Sequence, residues 1–252
     1  MIRVDALRQV LLRLPLTNEQ WEPDMAAVLR HDGPRLAAIA RLAVRASEGP
    51  TLDLGIGYGY SSAALRVAGR KWIVGVEHPS RDLVRSPVWR RLVAELGLSP
   101  LLADVCSLPL RDASFSLVCA AEILEHVPPH RCQAFLRECR RVCAAGGLFV
   151  VTTPNFTRLA NRLALLRGKS PLDLPVPRFG DTFGHLREYT EAELRALLES
   201  ARFEVLQVAC VSGHPAGSAF SPPSWVSALE WLLPHIGMAR MAKHLVAGAV
   251  AG

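Results

Sequence analysis

The chain has 252 residues, of which 50% are hydrophobic and 21% are charged. This composition is typical of a folded globular protein and excludes a disordered or fibrous chain. The net charge of +6 comes almost entirely from arginines scattered along the sequence, so we expect no nucleic-acid partner. The sequence shows no signal peptide and no apolar run of membrane-spanning length, which predicts a cytoplasmic protein.

Short β-branched runs alternate with helical periods along the chain, which is typical of βαβ units around a parallel sheet. Helices are predicted over 1–14 and 34–47, joined by the segment 15–33. The elements predicted next are strand Thr51–Leu54, helix Ser61–Ala68, strand Trp72–Glu77, helix Arg81–Leu96, strand Ser99–Ala103, strand Phe115–Ala120, helix Arg131–Ala144 and strand Gly147–Thr153. We therefore expect an α/β fold.

The remaining sequence predicts a lid and the last strands. Residues 154–187 are rich in proline and lack a clean period, which indicates an insertion or lid. The later elements are helix Glu191–Ser200 with a capping box at Thr190 and Glu193, strand Phe203–Val211, helix Trp225–Leu233, and His244–Val250 as an antiparallel strand or a frayed helix. The predicted single domain 1–252 thus comprises N-terminal helices (1–47), a ligand-binding core (48–153), a lid (154–187) and the rest of the sheet (188–252).

A glycine-rich loop follows the first predicted strand and opens a helix. It contains Gly55, Gly57 and Gly59, with Asp53 two residues before the first glycine. Glycine allows a sharp turn and a backbone approach to a ligand that a Cβ would block. Tyr60 stands where the dinucleotide fingerprint G-x-G-x-x-G needs its last glycine. The acid before the loop would repel a pyrophosphate and attract a cationic ammonium group.

Carboxylates also end the next two predicted strands. Glu77 closes the second strand, where a carboxylate can accept both hydroxyls of a ribose. Asp104 follows the third strand, where it can accept the exocyclic amine of an adenine. Open α/β sheets bind ligands at the carboxyl ends of their parallel strands, so these acids together predict a site for a positively charged nucleoside.

These motifs resemble the class I S-adenosylmethionine (SAM)-dependent methyltransferases, particularly the small-molecule branch that includes ubiquinone-pathway O-methyltransferases. The resemblance covers about residues 35–212 and rests on LDLGIGYG, GVE, LLADVCSLPL, FSLVCAAEILEHV, LRECRRVCAAGGLFVVTTPN and HLREYTEAELRALLESARFEV. It implies a Rossmann-like, doubly wound sheet of seven strands in the order 3-2-1-4-5-7-6, with strand seven antiparallel. It also implies that the cofactor SAM is held by Asp53, Gly55, Gly57, Gly59, Glu77, Asp104, Val105 and Ala121.

Candidate catalytic groups follow the fourth strand. In a helix, Glu122, Glu125 and His126 would share one face, since they lie at positions i, i+3 and i+4. His185, after the predicted lid, could fold over the same mouth. We therefore expect Glu122, His126 and His185 to orient or deprotonate the methyl acceptor.

The same residues resemble the divalent-metal site of small-RNA 2′-O-methyltransferases and of some ubiquinone O-methyltransferases. That resemblance implies Mg²⁺ or a harder transition metal on Glu122, Glu125, His126 and His185, which would lower the pKa of an acceptor hydroxyl. The residues around His185 match those enzymes only in part. A metal-free general base at His126 or His185, and a purely structural role, are the open alternatives.

The acceptor is expected to be a small or lipid-linked hydroxyl compound. Nucleobase methylation is disfavoured for two reasons. Enzymes that methylate the amino groups of adenine or cytosine carry a proline motif after the fourth strand, where this chain has Ala120–Ala121–Glu122–Ile123. Cytosine-C5 enzymes need a cysteine nucleophile after a proline, and no cysteine here follows a proline. Between 156 and 169, apolar and basic residues interleave, which predicts an amphipathic helix that covers an apolar substrate or touches the inner face of a membrane. An ordinary lid helix packed on the core is the alternative.

Three other functions remain open at this level. They are an RNA ribose 2′-O-methyltransferase, a non-catalytic SAM-binding protein and a nicotinamide-dependent oxidoreductase. The sequence predicts no oligomeric state.

Overall fold

The computed structural model describes residues 4–14, 25–171, 176–178, 181–183, 185–213 and 224–252. The helices are α1 (Val4–Leu11), α2 (Met25–Ala43), α3 (Tyr60–Val67), α4 (Pro87–Glu95), α5 (Cys132–Val142), α6 (Leu159–Leu166), α7 (Glu191–Ser200) and α8 (Ser224–Leu232). The strands are β1 (Thr51–Leu54), β2 (Ile73–Glu77), β3 (Ser99–Leu102), β4 (Phe115–Ala121), β5 (Cys143–Pro154), β6 (Val176–Arg178), β7 (Asp181–Phe183), β8 (Phe203–Val211) and β9 (His244–Ala251). Short 3₁₀ turns connect several of these elements.

Seven strands form one mixed sheet in the order β3-β2-β1-β4-β5-β9-β8. Strands β1 to β5 pair in parallel, and β9 runs antiparallel between β5 and β8. Counted within this sheet alone, the order is 3-2-1-4-5-7-6 with strand seven antiparallel, which confirms the expected fold. The pairing of β9 also decides in favour of a final strand over a frayed helix, while β6 and β7 form a separate hairpin.

Helices cover both faces of the sheet, and the side chains of each strand alternate between them. On one face, Leu54 and Val118 pack in a buried cluster with residues of α5 and α7. On the other face, Leu117 and Val150 pack with residues of α1, α2, α3 and α4. Burying a strand on both faces requires a nearly continuous apolar sequence, which is why all residues of β1 and β4 are buried.

Two helices differ from their predicted bounds because of proline. Helix α2 begins at Met25 rather than at residue 34, with Pro34 inside it. A proline inside a helix removes one backbone hydrogen bond at a cost of about 3 kcal/mol, and burial of the face containing Leu36 and Ile39 offsets it. The helix predicted over Arg81–Leu96 is divided, because α4 starts at Pro87 with Ser86 as its N-cap.

The predicted lid contains regular structure. It comprises helix α6 and the β6–β7 hairpin, and β5 extends to its first residue, Pro154. The side chain of Asn155 anchors the start of the lid by donating to the carbonyl oxygens of Arg240 and Ala242 at 2.9 and 2.8 Å. Within the described residues, no helix is both long and apolar enough to cross a membrane. Parts of the predicted segments, namely 1–3, 15–24, 172–175, 179–180, Gly184 and 214–223, lie outside the described residues.

Candidate functional site

A cavity of about 510 Å³ opens at the carboxyl ends of the parallel strands. This is the edge at which open α/β sheets bind their ligands. The predicted cofactor residues in its wall are Gly55, Gly57, Glu77, Asp104, Val105 and Ala121, joined by the predicted catalytic residues Glu122 and His126. The other predicted site residues, Asp53, Gly59, Glu125 and His185, do not line this cavity.

The three loop glycines serve different purposes. All have positive φ angles, of 65° at Gly55, 47° at Gly57 and 78° at Gly59, a region that favours glycine. A Cβ on Gly55 would lie 1.9 Å from Ile123, and one on Gly59 would lie 2.7 Å from Leu96, so these two allow close packing of the loop on the protein. A Cβ on Gly57 would find no atom nearer than 4.0 Å. Because Gly57 lines the cavity, the space its Cβ would fill is space for a ligand.

Glu77 is buried in the cavity wall at the end of β2. One carboxylate oxygen accepts a hydrogen bond from the backbone N–H of Gly57 at 2.9 Å, and the other accepts from the backbone N–H of His78 at 2.9 Å. These bonds fix the carboxylate in place. Each oxygen retains accepting capacity for a further donor, such as a ribose hydroxyl.

Asp104 lies across the cavity, beyond the end of β3. Its carboxylate accepts from the backbone N–H of Cys106 at 2.9 Å and from the guanidinium of Arg131 at 2.7 Å. Burial raises the pKa of Asp104, but the Cys106 N–H and Arg131 outweigh it, so the pKa is lowered. Asp104 is therefore an ionised acceptor in the cavity wall, and its contact with an adenine amine stays a prediction.

Asp53 lies beneath the glycine loop and is fully buried. It accepts hydrogen bonds from the hydroxyls of Ser61 and Ser62 at 2.9 and 2.5 Å. Burial raises the pKa of Asp53 to about 6, although both hydroxyls act to lower it. Ser61 lines the cavity and Asp53 does not, so Asp53 is connected to the cavity through the Ser61 hydroxyl rather than facing it directly.

Arg35 of α2 is a cavity residue that the sequence interpretation missed. Its guanidinium is buried between two carboxylates, 3.1 Å from Asp32 and 3.8 Å from Glu122. The available signal was helical phase, because Ile39 and Leu42 follow at i+4 and i+7 and both are buried. Arg35 is one of three arginines in the cavity wall, with Arg81 and Arg131.

Glu122 does not share a helical face with Glu125 and His126, so that expectation is wrong. Its φ angle is +55°, which turns the chain sharply at the end of β4. The Glu122 carboxylate accepts from the Thr152 hydroxyl at 2.8 Å and lies 3.3 Å from the His244 ring. Burial acts to raise its pKa, but Arg35 and His244 hold the pKa of Glu122 well below its usual range. The Glu122 carboxylate thus pairs with Arg35 and His244 and not with Glu125 and His126.

Glu125, His126 and His185 come together beside the cavity, whose wall contains His126. One potential ligand atom from each of the three side chains lies within 4.8 Å of the other two. The centroids of the two histidine rings are 5.4 Å apart. Glu125 is fully buried and accepts from the Thr153 hydroxyl at 3.0 Å, while its other oxygen has no hydrogen-bond partner among the described residues. Burial and the nearby charge of Glu122 raise the pKa of Glu125. The predicted group is therefore assembled without Glu122.

The His185 segment is fastened to this group by backbone and side-chain bonds. The backbone N–H groups of Leu186 and Arg187 donate to the Glu125 carbonyl oxygen at 2.9 and 3.3 Å. Nδ1 of His185 lies 2.9 Å from the carboxylate of Glu188. Glu188 was not predicted, although its position three residues after His185 is a local signal for such a pair.

Comparisons with known proteins show to which family the chain is similar. Residues 52–151 match the family model described as a methyltransferase domain. The chain is 31% identical over 211 residues to a probable SAM-dependent methyltransferase of Mycolicibacterium smegmatis, covering 82% of this chain and 71% of that protein. It is 30% identical over 192 residues to a probable SAM-dependent methyltransferase of Mycobacterium tuberculosis, covering 75% of this chain and 61% of that protein.

A solved structure shares the fold at lower identity. It is the 1,6-didemethyltoxoflavin N1-methyltransferase of Burkholderia thailandensis with bound S-adenosylhomocysteine, with a TM-score of 0.54, 19% identity, and coverage of 85% of this chain and 78% of that chain. The sheet order, the glycine loop with acids at successive strand ends, and the sequence relatives lead to one conclusion. The chain belongs to the SAM-dependent methyltransferases, with SAM as its cofactor.

Proposed function

We propose that the enzyme methylates a hydroxyl group of a small or lipid-linked acceptor. The observation that carries this proposal is the group of Glu125, His126 and His185, of which His126 lines the cavity. SAM supplies an electrophilic methyl group on a sulfonium centre, and a hydroxyl that attacks it must lose its proton. Side chains able to take up that proton therefore belong beside the methyl group.

The cavity wall supports a definite placement of the cofactor. Glu77 is positioned to accept the ribose hydroxyls and Asp104 the adenine amine, while Gly57 leaves room for close approach. Arg35, a buried cation of the wall that also pairs with Asp32 and Glu122, is the group we assign to the carboxylate of the methionine end. Ser61, backed by Asp53, faces the ammonium group. Since His126 lines the same cavity, we expect the sulfonium to lie beside it.

The pair of His185 and Glu188 supports a role as general base. The carboxylate of Glu188 orients the ring through Nδ1 at 2.9 Å, which leaves Nε2 to accept a proton from the acceptor hydroxyl. Glu188 is itself held by the side-chain amide of Asn161 at 2.7 Å. A histidine oriented in this way by a carboxylate and an amide is prepared for proton transfer.

The same group also fits a divalent cation. The unpartnered oxygen of buried Glu125 and the two imidazoles form a set of donors that could hold one. When bound there, the cation would lower the pKa of an acceptor hydroxyl. Without Glu122 the donors are one carboxylate and two imidazoles, which suit Mn²⁺, Fe²⁺ or Zn²⁺ better than the Mg²⁺ first expected.

An acceptor panel tests this proposal. The purified enzyme is assayed for transfer of labelled methyl groups from SAM to phenolic, catecholic, sugar and lipid-linked hydroxyl compounds, beside amine and thiol analogues. We expect turnover only with hydroxyl acceptors. His185→Gln and His126→Gln should lower kcat by about a hundredfold without changing SAM affinity. His130→Gln, an exposed neighbour outside the cavity wall, is the matched control.

An assay with a chelator distinguishes a cation site from a metal-free general base. Loss of turnover with chelator, restored by Mn²⁺ or Zn²⁺, would assign a cation to the site, and indifference would assign the general base. Turnover confined to amine, thiol or carbon acceptors would contradict the proposal, as would full activity of both histidine variants.

A further inference from the structure

Helix α8 presents an apolar face to solvent. Trp225, Leu229 and Leu232 are exposed at positions i, i+4 and i+7, with Trp225 50% exposed. Val226 and Glu230 are buried on the opposite side. An exposed face of this kind, continued over two turns of a helix, marks an interaction surface.

The neighbouring helix α6 extends this surface. The buried carboxylate of Glu230 accepts from the backbone N–H of Ala160 at 2.8 Å and so joins α8 to the start of α6. At the other end of α6, Leu165 and Leu166 are exposed, Leu166 to 84%. We define the α6–α8 face by five exposed apolar side chains of these two helices, namely Leu165, Leu166, Trp225, Leu229 and Leu232.

The surroundings of the α6–α8 face are basic. Arg162, Arg167 and Lys169 are exposed on and after α6, and the sequence from 156 to 171 contains no acid. The single acid of α8, Glu230, is buried. Arg162 also lines a cavity of about 370 Å³ with Arg195 and Arg240, where Glu191 is the acid present.

Exposed apolar side chains beside basic ones favour an anionic lipid surface as the partner of this face. Tryptophan and leucine partition into the boundary between lipid headgroups and acyl chains, and a basic rim attracts anionic headgroups. A protein partner would not require both properties on the same two helices. A second copy of the chain fits poorly, since face-to-face contact would bring two basic rims together.

We propose that the α6–α8 face docks this enzyme on the surface of an anionic lipid bilayer. Asn161 of α6 donates to Glu188, which contacts His185, so the docked helix adjoins the acceptor side of the site. A lipid-linked acceptor would therefore reach the site directly from the membrane. This last step rests on the proposed function, whereas the docking itself does not.

Vesicle sedimentation tests the docking with the full chain and no acceptor. We expect the protein to sediment with vesicles of equimolar phosphatidylglycerol and phosphatidylcholine, to remain in solution with pure phosphatidylcholine, and to be released by high salt. Trp225→Ser with Leu166→Ser, and separately Arg167→Gln with Lys169→Gln, should each lower the partition coefficient by about tenfold or more. Trp72→Ser is the matched control, because Trp72 is 68% exposed but lies before β2.

The outcomes separate the docking from the chemistry. Absence of binding to anionic vesicles, or equal loss in the Trp72 control, would overturn the proposal. So would light scattering that shows a dimer abolished by Trp225→Ser while vesicles are ignored, since the face would then join two copies. Vesicle binding by an enzyme that fails to methylate any hydroxyl would leave the docking intact and refute only the proposed function.

Discussion

Replacing Asp53 with asparagine should stabilise the unliganded enzyme at neutral pH while weakening its affinity for SAM. Burial raises the pKa of Asp53 from 3.8 to about 6, so the folded protein retains a proton that the unfolded chain releases. Such a group stabilises the fold fully below pH 3.8 and loses that contribution as the pH rises through about 6. At pH 7 the buried charge therefore costs about 3 kcal/mol. Asparagine has nearly the same shape and carries no such cost.

The same pKa sets how SAM affinity depends on pH. A cationic ligand favours the ionised form of Asp53, so a proton competes with SAM for the site. From a pKa of about 6 in the free enzyme, the dissociation constant should rise about twofold at pH 6 and about tenfold at pH 5, relative to pH 8. Asp53→Asn should bind SAM weakly and lack this part of the pH dependence.

Calorimetric titration with SAM between pH 5 and pH 8, and thermal unfolding between pH 4 and pH 8, measure both effects. Glu199→Gln is a suitable control, because Glu199 is an exposed carboxylate on α7. The reasoning would be refuted if Asp53→Asn bound SAM as tightly as the natural enzyme. It would also be refuted if the stability of the natural enzyme rose from pH 4 to pH 7 relative to the variant.

Three further substitutions test separate parts of the site. Gly57→Ala should weaken SAM binding about tenfold or more, and its backbone strain should lower the stability of the fold by about 1–2 kcal/mol. The control Gly69→Ala, at a φ of +85° with open space around it, should show a similar loss of stability and unchanged SAM binding. Equal losses of binding in both variants would argue against the ligand space at Gly57. Arg35→Lys should weaken binding of S-adenosylhomocysteine but not of methylthioadenosine, which lacks the amino-acid half, and equal losses for both would remove Arg35 from carboxylate recognition. Glu188→Gln should lower kcat about tenfold with an unchanged KM for SAM, and an unaltered kcat would exclude Glu188 as the positioning residue for His185.

The sheet and the glycine loop were predictable because their signals are local. Strands buried on both faces need continuous apolar runs, and the bounds of β8 and α7 with its capping box were predicted as the structure has them. The predicted start of α2 at residue 34 was wrong, because Pro34 is a strong local signal for a helix boundary. Tertiary packing of the apolar face overrides that signal, and it is not visible in the local sequence.

Side-chain directions at the site were less predictable. A positive φ at a glutamate is uncommon, and the turn at Glu122 separates it from Glu125, which regular helical spacing could not reveal. Arg35 also contacts Glu122, and Glu188 also contacts Asn161 of α6, both of which are distant in sequence, and no motif marks either residue. The helical phase of Arg35 and the spacing between His185 and Glu188 were the signals available.

A crystal structure of the complex with S-adenosylhomocysteine tests the central claim most directly. We expect the ribose hydroxyls on Glu77, the adenine amine on Asp104, the carboxylate on Arg35, and the sulfur facing His126. A nucleoside bound elsewhere, or a cavity closed by Tyr58 and Tyr60, would contradict this account of the site.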